Sequence, residues 1–362
     1  MSTLLADVRL RPLTVPASMH AADAADFAAM VDVRNRVYEQ ISGHADHSIT
    51  APELLPNFQD TEDEERFMWL VEADGALVGR VGVDLPRERG SRTAYWLIEL
   101  LREAWGRGIG SHAYELVERT AREHGRTVLQ AWAEQPATGE GEVLAPPTGF
   151  GEVPLDHIAR FFLRHGYTLE QVERASALDL TRPLDRVEQL HAEAQAAAKD
   201  YRVVQWHAPT PPEFVEGYAW MKSRMSTDVP AGALEFDEET WDAARVERHD
   251  RRYLDGGRAL QVTAAQHIAT GELCAFNELV IGQDPTAASH QEDTLVLKEH
   301  RGHRLGMLVK CAGLLSWRGL HPRSPRVMTY NAEENRPMLD INEAIGFVPI
   351  SYEGAWKKTL QE

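Results

Sequence analysis

The sequence predicts an α/β chain that is built from two similar halves, and three observations support this prediction. Its 362 residues are too many for one ordinary hydrophobic core and fit two domains. With 43% hydrophobic and 26% charged residues, the chain has the composition of a soluble globular protein, which excludes a disordered or fibrous one. Runs with strand and helix periodicity also follow one another in the same order in both halves.

In the first half, strand candidates are short β-rich runs, and helix candidates repeat apolar residues at helical spacing. Ala73, Asp74 and Gly75 form a hairpin signal between two of the strands. Residues 43–65 are expected to form a loop with a short helix, and residues 135–154 are a Gly/Pro-rich insertion. In chain order we predict strand 7–15, helix 22–42, strands 67–72, 76–85 and 95–101, a glycine turn at 106–110, helix 111–124, strand 127–133, helix 155–165 and strand 168–180.

The second half repeats this order after a helix-prone stretch at 185–199. One helix candidate begins after Asp237, and a turn at 301–306 again contains glycines. In chain order we predict strand 201–206, helices 212–226 and 238–253, strands 260–265, 273–281 and 294–297, helix 307–320, strand 326–330, helix 336–345 and strand 350–357.

The two halves correspond to each other as an internal duplication. Trp105 and Arg301, which precede the two glycine turns, are 196 residues apart, whereas Gly166 and Gly346, which follow the last helix of each half, are 180 residues apart. The difference of 16 residues is about the size of the insertion at 135–154. We therefore predict domains at 1–184 and 200–362, joined by a helical linker at 185–199.

The charge balance restricts the partners. A formal net charge of −18 excludes the basic surface of a protein whose main partner is nucleic acid. It also argues against adhesion to an anionic membrane surface. A neutral or cationic small molecule is the easier partner, and a homodimer is left open.

The cysteines and the N-terminal residues indicate a cytoplasmic protein. Cys274 and Cys311 are too few for a disulfide framework and show no metal-ligand spacing. His300 and His303 flank or lie between arginines, and no third ligand is evident, so we predict no metal site. The first residues contain no signal-peptide core, and no run approaches 18 uninterrupted apolar residues.

Each glycine turn can form an anion site, because it follows a strand and begins a helix. The free N–H groups and the positive end of the helix then point at whatever binds there, and glycines allow a phosphate to approach the backbone. Neither turn has the Gly-Lys-Ser/Thr ending of a P-loop or the spacing of a Rossmann fingerprint.

At these turns the chain resembles the GNAT superfamily of acetyl-CoA-dependent N-acetyltransferases. The first motif of that family is Arg/Gln-x-x-Gly-x-Gly/Ala at the start of a helix. A later motif places an Asn, then a Tyr seven residues on, then Gly-Phe. The sequence has Trp105-Gly106-Arg107-Gly108-Ile109-Gly110 and Arg301-Gly302-His303-Arg304-Leu305-Gly306 at the first motif, and Leu155, Phe162, Gly166 and Tyr167, then Asn335, Asn342, Gly346 and Phe347, at the later one.

The resemblance implies two tandem GNAT-like domains, each a mixed, mostly antiparallel sheet flanked by helices, with acetyl-CoA as co-substrate and no metal. Each copy departs from the pattern. Trp105 replaces the Arg/Gln, and Arg304 replaces the first motif glycine, where it is expected to be compatible with right-handed helical backbone. The family tyrosine that protonates the leaving thiolate is Phe162 in one copy and Asn342 in the other, so another group or water must supply this proton.

We predict that the second domain is catalytic and that the first is a degenerate copy. In the second domain His290, Glu292 and Glu278 are candidates for handling the proton of the attacking amine, with Asp293 beside them. In the first domain Glu99 is the nearest such group. The predicted cofactor-binding residues are Val296, Arg301, Gly302, His303, Arg304, Leu305, Gly306, Met307 and Asn335 in the second domain and Gly106, Gly108 and Gly110 in the first.

The predicted function is transfer of an acetyl or short acyl group from CoA to a primary amine of a small molecule by direct attack. Two alternatives stay open at this point. The missing tyrosine fits a non-catalytic acyl-CoA-binding or sensing protein, and the Gly-x-Gly-x-Gly turn of the first domain fits an enzyme whose active site lies there.

Overall fold

The computed structural model describes residues 7–59, 61–136 and 141–361. The chain divides into two compact units. The first unit runs up to Val172 and also includes residues Ala231–Asp237 and the residues from Tyr352 onward; the second comprises Glu173–Pro230 and Glu238–Ser351. The first unit is therefore assembled from three separate segments of the chain. Within the part of the chain that the structure describes, no helix has the length and apolarity needed to cross a membrane.

The first unit is a mixed sheet with helices on both faces. Its strands lie in the order β1-β2-β3-β4-β5-β14, in which β4 and β5 are parallel and β1 to β4 are antiparallel neighbours. Its elements are β1 (Val8–Pro12), α1 (Ala24–Ser42), α2 (Ala51–Gln59), β2 (Glu64–Ala73), β3 (Ala76–Pro86), β4 (Thr93–Leu100), α3 (Ile109–Glu123), β5 (Val128–Pro136), the short pair β6 (Val143–Leu144) and β7 (Val153–Pro154), α4 (His157–Arg164), the start of β8 (Thr168–Asp179) and the end of β14 (Val348–Thr359).

The core of the first unit lies between the sheet and helices α3 and α4. Val117 on α3 and Leu129 on β5 are fully buried there. The last strand contributes Trp356, whose ring stacks on Phe162 of α4 at a centroid distance of 4.7 Å. A second cluster around Phe27 of α1 covers the other face of the sheet. The two faces are thus closed by different helices, α3 and α4 on one and α1 and α2 on the other.

The second unit repeats this plan. Its strands lie in the order β8-β13-β12-β11-β10-β9, with β12 and β13 parallel and the other neighbours antiparallel. Its elements are the end of β8, α5 (Asp185–Ala197), β9 (Tyr201–His207), α6 (Pro212–Asp228), α7 (Ala243–Asp255), β10 (Ala259–His267), β11 (Leu273–Ile281), β12 (Ser289–Val296), α8 (Leu305–Leu320), β13 (Arg326–Ala332), α9 (Arg336–Ile345) and the start of β14.

Helix α5, which the sequence predicts as a linker, belongs to the core of the second unit. Leu190 and Ala194 are buried in the same apolar cluster as Leu308 of α8. A helix that buries two such residues contributes several kcal/mol to stability rather than acting as a spacer, at about 1.5–3 kcal/mol for a fully buried leucine. The stretch 185–199 is therefore helical, as predicted, and is packed into the fold.

The predicted α/β fold is confirmed, with the same strand order in both units, and the differences lie mainly at element boundaries. Helix α7 begins at Ala243, five residues later than predicted. Asp242 caps it there by accepting a hydrogen bond from the Arg245 backbone N–H at 2.8 Å. Strand β12 begins at Ser289 rather than at the predicted residue 294. Its first five residues are polar and show no strand alternation, so the sequence pattern does not reveal them. Part of the insertion at 135–154 forms the β6–β7 pair, and residues 137–140 lie outside the described residues.

Candidate active site

The glycine turn of the first unit lies between β4 and α3. Gly106 and Gly108 have φ angles of 71° and 80°, in the left-handed region that glycine adopts at no steric cost. Both are exposed, and Ile109 begins the helix directly after them. Gly110 and Ser111 in the first turn of α3 are half-buried. The backbone N–H groups at this helix start are therefore accessible to an anion.

The turn of the second unit has the same backbone conformation with a different side chain. Gly302 has a φ of 89°, and Arg304, at the position of Gly108, has a φ of 58°. The expectation that Arg304 is compatible with right-handed helical backbone is wrong, because the turn needs a left-handed residue immediately before the helix whatever residue stands there. A non-glycine side chain pays roughly 1–2 kcal/mol for this conformation.

The two turns also differ in how accessible the following helix is. In the second unit Gly306 and Met307 are buried, and a Cβ added at Gly306 would lie 3.0 Å from the Ile341 side chain. Arg304 forms an ion pair with Glu193 of α5 at 3.6 Å, so a carboxylate already stands at this cation. The start of α8 is consequently more closed than the start of α3.

In each unit the strand that ends at the glycine turn separates from its parallel neighbour. In the first unit β4 and β5 pair only over Thr93–Tyr95 and Val128–Gln130, although both strands continue for several residues. In the second unit β12 and β13 pair only at Ser289 and His290. The opening leaves backbone N–H and C=O groups between the strands, where an extended ligand can bind.

On the α1 face of the first unit, a buried acid lies beside a buried histidine. Because strand side chains alternate, Gln130, Trp132 and Glu134 of β5 point to this face. The Oε1 atom of Glu134 is 3.7 Å from Nε2 of His47, and both side chains are at most 7% exposed. His47 also stacks on His44, with ring centroids 5.5 Å apart. This pair provides a carboxylate and an imidazole just beyond the strand opening.

A second buried ion pair lies on the same face of the sheet. Arg80 of β3 donates two hydrogen bonds to Glu99 of β4, at 2.6 and 2.9 Å, and the side chain of Arg80 is only 6% exposed. The Glu99 carboxylate, together with burial, raises the pKa of Tyr38 on α1. Glu99 is thus engaged by arginine, and the Glu134–His47 pair is a further candidate for proton transfer in this unit.

The predicted acids of the second unit meet at a β-bulge. Asn277 pairs with Thr294 and Leu279 with Gln291, so Glu278 faces two residues of β12, Glu292 and Asp293. The structure therefore brings these three predicted residues together, on the face that α6 covers. His290 lies one residue before this bulge and pairs with Val280.

Glu278 is held in a network rather than left accessible. It accepts hydrogen bonds from the hydroxyl of Tyr218 and from Nζ of Lys222, at 2.5 and 3.1 Å, and its residue is 1% exposed. Burial raises the pKa of Glu278. Lys222 also donates to Asp293 at 2.5 Å and lies 4.9 Å from the centre of the Trp241 ring. Of the three acids, Glu292 is the exposed one.

The other predicted cofactor residues of the second unit surround its turn. Arg301 is exposed and donates to the carbonyl of Val296, the last residue of β12, at 3.2 Å. His303 is exposed, Leu305 is buried, and Asn335 stands directly before α9. Whether any of them contacts a cofactor stays a prediction.

Close to this turn His300 lies beside two further potential metal ligands that the sequence does not link to it. Glu272, Cys274 and His300 place one potential metal-ligating atom each within 4.8 Å of one another. The Nδ1 atom of His300 lies 2.9 Å from the hydroxyl of Tyr201. The absence of a metal site stays a prediction.

The helix that follows each turn, α3 in the first unit and α8 in the second, carries a buried polar residue at the same position. Tyr114 of α3 donates to the hydroxyl of Tyr167 at 3.2 Å and accepts from Nζ of Lys358 at 3.0 Å. In the second unit Lys310 of α8, at the equivalent place, donates to Asn342 at 2.7 Å. Burial raises the pKa of Tyr114, which keeps its hydroxyl protonated.

Sequence reasoning missed the pairing of His47 with Glu134. The run His44-Ala45-Asp46-His47 was visible as a polar cluster in a loop, and Glu134 as a polar residue at the end of a strand. Strand periodicity alone would have placed Glu134 on the same side as Gln130. The signal that joins it to His47 is their common burial, which appears only in the folded chain.

Each unit thus contains a parallel strand pair that opens beside a helix preceded by a left-handed turn, which is the arrangement expected from the resemblance to the GNAT acetyltransferases. Residues 28–139, which lie in the first unit, match the model of the acetyltransferase (GNAT) family. No curated protein matches the chain. The first unit therefore carries the sequence pattern of this family.

Solved structures extend the likeness to the whole chain. A tandem GNAT protein from the clavulanic acid biosynthesis pathway, determined without AcCoA, is 24% identical with a TM-score of 0.74, covering 98% of this chain and 99% of its own. A GCN5-related N-acetyltransferase from Sphaerobacter thermophilus is 15% identical with a TM-score of 0.62, covering 98% and 96%. The chain as a whole has the fold of a tandem GNAT protein, which confirms the resemblance drawn from its glycine turns.

Proposed function

We propose that this chain is an acyl-CoA-dependent N-acyltransferase that acylates a primary amine of a small molecule, and that the first unit carries the reaction. The observation that supports this most is the opening between β4 and β5, which ends at a turn with Gly108 and Gly110 at both glycine positions of the motif. This opening lies inside the stretch that matches the acetyltransferase family model. The closed start of α8 makes the second unit the weaker candidate.

The chemistry follows from the two faces of the first unit. When bound, acetyl-CoA supplies an activated acyl thioester. The N–H groups at Gly106, Gly108 and Gly110 bind its phosphates, and backbone N–H groups of the opened β4 hydrogen-bond the thioester carbonyl. The face of α3 and α4 thus receives the cofactor, and the face of α1 is left for the amine.

Proton transfer takes place on both faces. The neutral amine attacks the carbonyl carbon, a C–N bond forms, and the C–S bond breaks. The pair Glu134–His47 takes the amine proton, directly or through a water molecule. On the cofactor side water supplies the proton that converts the departing thiolate to free CoA, because Phe162 stands at the position of the family tyrosine and cannot donate one.

Calorimetric titration with acetyl-CoA tests where the cofactor binds, using two matched variants. Gly106 and Gly302 are equivalent, both are exposed with positive φ, and a Cβ at either meets no atom within 4 Å. We expect Gly106→Glu to weaken binding at least roughly ten-fold, because a carboxylate at the turn repels phosphate. Gly302→Glu should leave the dissociation constant within about two-fold.

Each other outcome has a definite meaning. Loss of binding with Gly302→Glu alone moves the cofactor to the second unit, which the cluster of Glu278, Glu292 and Asp293 favours as the second candidate site. Absence of binding by the wild type contradicts the proposed function. Binding without release of free thiol over a panel of primary amines supports a sensing role instead, which the replacement of the family tyrosine by Phe162 and Asn342 favours.

A further inference from the structure

A segment from the second half of the chain is built into the first unit beside its strand opening. Residues 231–237, which we call the strap, follow helix α6 in sequence and pack in the first unit. The side-chain amide of Gln130 donates to the backbone carbonyl of Glu235 at 2.8 Å and accepts from its N–H at 2.7 Å. The backbone of the strap is thereby hydrogen-bonded to a side chain of β5.

Charged groups hold the strap at the same place. The Glu235 carboxylate accepts two hydrogen bonds from Arg92, at 2.8 and 2.9 Å, and lies 2.8 Å from Nζ of Lys357. Lys357 also donates to the carbonyl of Ala233 at 2.7 Å, and Leu234 is buried. The residues directly before Phe236 are therefore anchored to the first unit by hydrogen bonds, ion pairs and burial.

The position of the strap relative to the strand opening follows from the register. Tyr95 and Gln130 are the last paired residues of β4 and β5, and Gln130 is the residue that binds the strap. Trp132 is two residues further along β5 and points to the same side, so it lies on the opened part of the strand. This is the face that the proposed function leaves for the amine.

Three aromatic rings form a row at this point. The ring centroids of Tyr95 and Trp132 are 5.8 Å apart, and those of Trp132 and Phe236 are 6.2 Å apart. Tyr95 and Trp132 are half-buried, whereas Phe236 is 41% exposed. A phenylalanine that is left partly in water retains apolar surface that a ligand can still bury.

We propose that the strap completes the acceptor pocket of the first unit and that Phe236, with Trp132 and Tyr95, binds the apolar body of the acceptor. This inference rests on the proposed function and names its substrate class: a primary amine that carries an aromatic or similarly flat apolar group. The amine end reaches the strand opening and the Glu134–His47 pair, while the apolar end packs on the ring row. Phe236 is thus a specificity-determining residue contributed by the second half of the chain.

Calorimetric titration of the full-length protein with 2-phenylethylamine and with ethylamine, in the presence of CoA, tests this inference. The two amines share the amino group and differ by the ring. We expect the wild type to bind 2-phenylethylamine at least roughly ten-fold more tightly. Phe236→Ala should remove most of this difference and leave the affinity for ethylamine within about two-fold.

Phe150→Ala is the matched control, because Phe150 is also in the first unit, is 44% exposed and is not part of the ring row. It should bind both amines as the wild type does. Phe236→Leu keeps an apolar side chain and should retain part of the preference. Equal affinity of the wild type for the two amines, or an unchanged preference in Phe236→Ala, would falsify the inference.

The failure of this inference and that of the proposed function can be told apart. Binding of acetyl-CoA and release of thiol depend on the cofactor side and test the proposed function. Preference between the two amines depends on the ring row alone. Acetyl-CoA binding and thiol release without an aromatic preference would overturn the role of Phe236 and leave the acyltransferase proposal standing.

Discussion

Lys310 is unusual because burial makes its charged form energetically unfavourable. Its side chain is fully buried in the second unit, and Nζ donates to Oδ1 of Asn342 at 2.7 Å. Among the described residues it forms no ion pair. Burial lowers the pKa of Lys310 to about 7, because removing a charge from water disfavours the protonated form.

Replacing this lysine with an apolar side chain of similar length should stabilise the protein. The folded chain releases the lysine proton near pH 7, whereas the unfolded chain keeps it to about pH 10.4, so the free energy of unfolding rises with pH between these values. We expect Lys310→Met to gain at least about 1 kcal/mol at pH 7 and to lose this advantage toward pH 10. Urea unfolding of both proteins at several pH values measures the difference.

The exposed Lys199 provides the control for this experiment, since Lys199→Met changes the same side chain without a burial cost. Its unfolding free energy should follow that of the wild type at every pH. Parallel pH curves for the wild type and Lys310→Met would contradict the assigned pKa. They would mean that Lys310 is neutral or solvated at all the pH values tested.

The start of helix α8 shows how an element can keep its geometry after losing the residue that suits it. Arg304 has a φ of 58°, as glycine would, and its neighbour Gly302 has a φ of 89°. The exposed ion pair with Glu193 offsets little, because such pairs contribute about 0–1 kcal/mol. The turn is therefore imposed by the strand before it and the helix after it.

Restoring glycine at this helix start should release the strain. We expect Arg304→Gly to raise the free energy of unfolding by about 1 kcal/mol, measured by urea unfolding. Arg304→Ala removes the same charge and keeps a Cβ, so it should give no gain. Equal stability of the two variants would show that the charge, and not the backbone, decides the effect.

At the level of elements the sequence predicts most of the fold, and the exceptions share a cause. Helix α9 and strand β11 occur at the predicted residues. The polar start of β12 and the left-handed Arg304 were not predictable from local pattern, since neighbouring elements determine both. The two glycine turns were recognisable in the sequence itself, and their spacing indicated the duplication.

The candidate site is less predictable than the fold for the same reason. Glu278, Glu292 and Asp293 could be grouped from two adjacent strands, and the bulge does bring them together. His47 and Glu134 are 87 residues apart, and Phe236 is more than 100 residues from Trp132. No local pattern links residues at these separations before the strand order is known.

At the scale of the whole molecule, the first unit depends on residues from the far end of the sequence. Strand β14 supplies Trp356, which is fully buried and stacks on Phe162 with a ring angle of 3°. Leu360 is buried as well, and its N–H donates to Thr127 at 2.7 Å. The residues from Tyr352 onward therefore form part of a core that consists otherwise mainly of the first 172 residues.

Truncating this tryptophan should destabilise the first unit selectively. We expect Trp356→Ala to lower its free energy of unfolding by about 3–5 kcal/mol, because it leaves a large cavity. Hydrogen exchange should show lost protection in α3 and α4 and retained protection in α8. Trp220→Ala, at a residue that is 55% exposed on α6, should change stability by no more than about 0.5 kcal/mol.

The position of β14 in the sequence also affects the order in which the two units can fold during synthesis. During synthesis domains usually fold from the N-terminus as they leave the ribosome. Here residues 8–172 emerge without Trp356, Leu360 and the strap, so the first unit cannot close its core until nearly 190 further residues have been made. All residues of the second unit, which ends at Ser351, have been made before Trp356 and Leu360 are added. The half of the chain that is translated first is thus the half that finishes folding last.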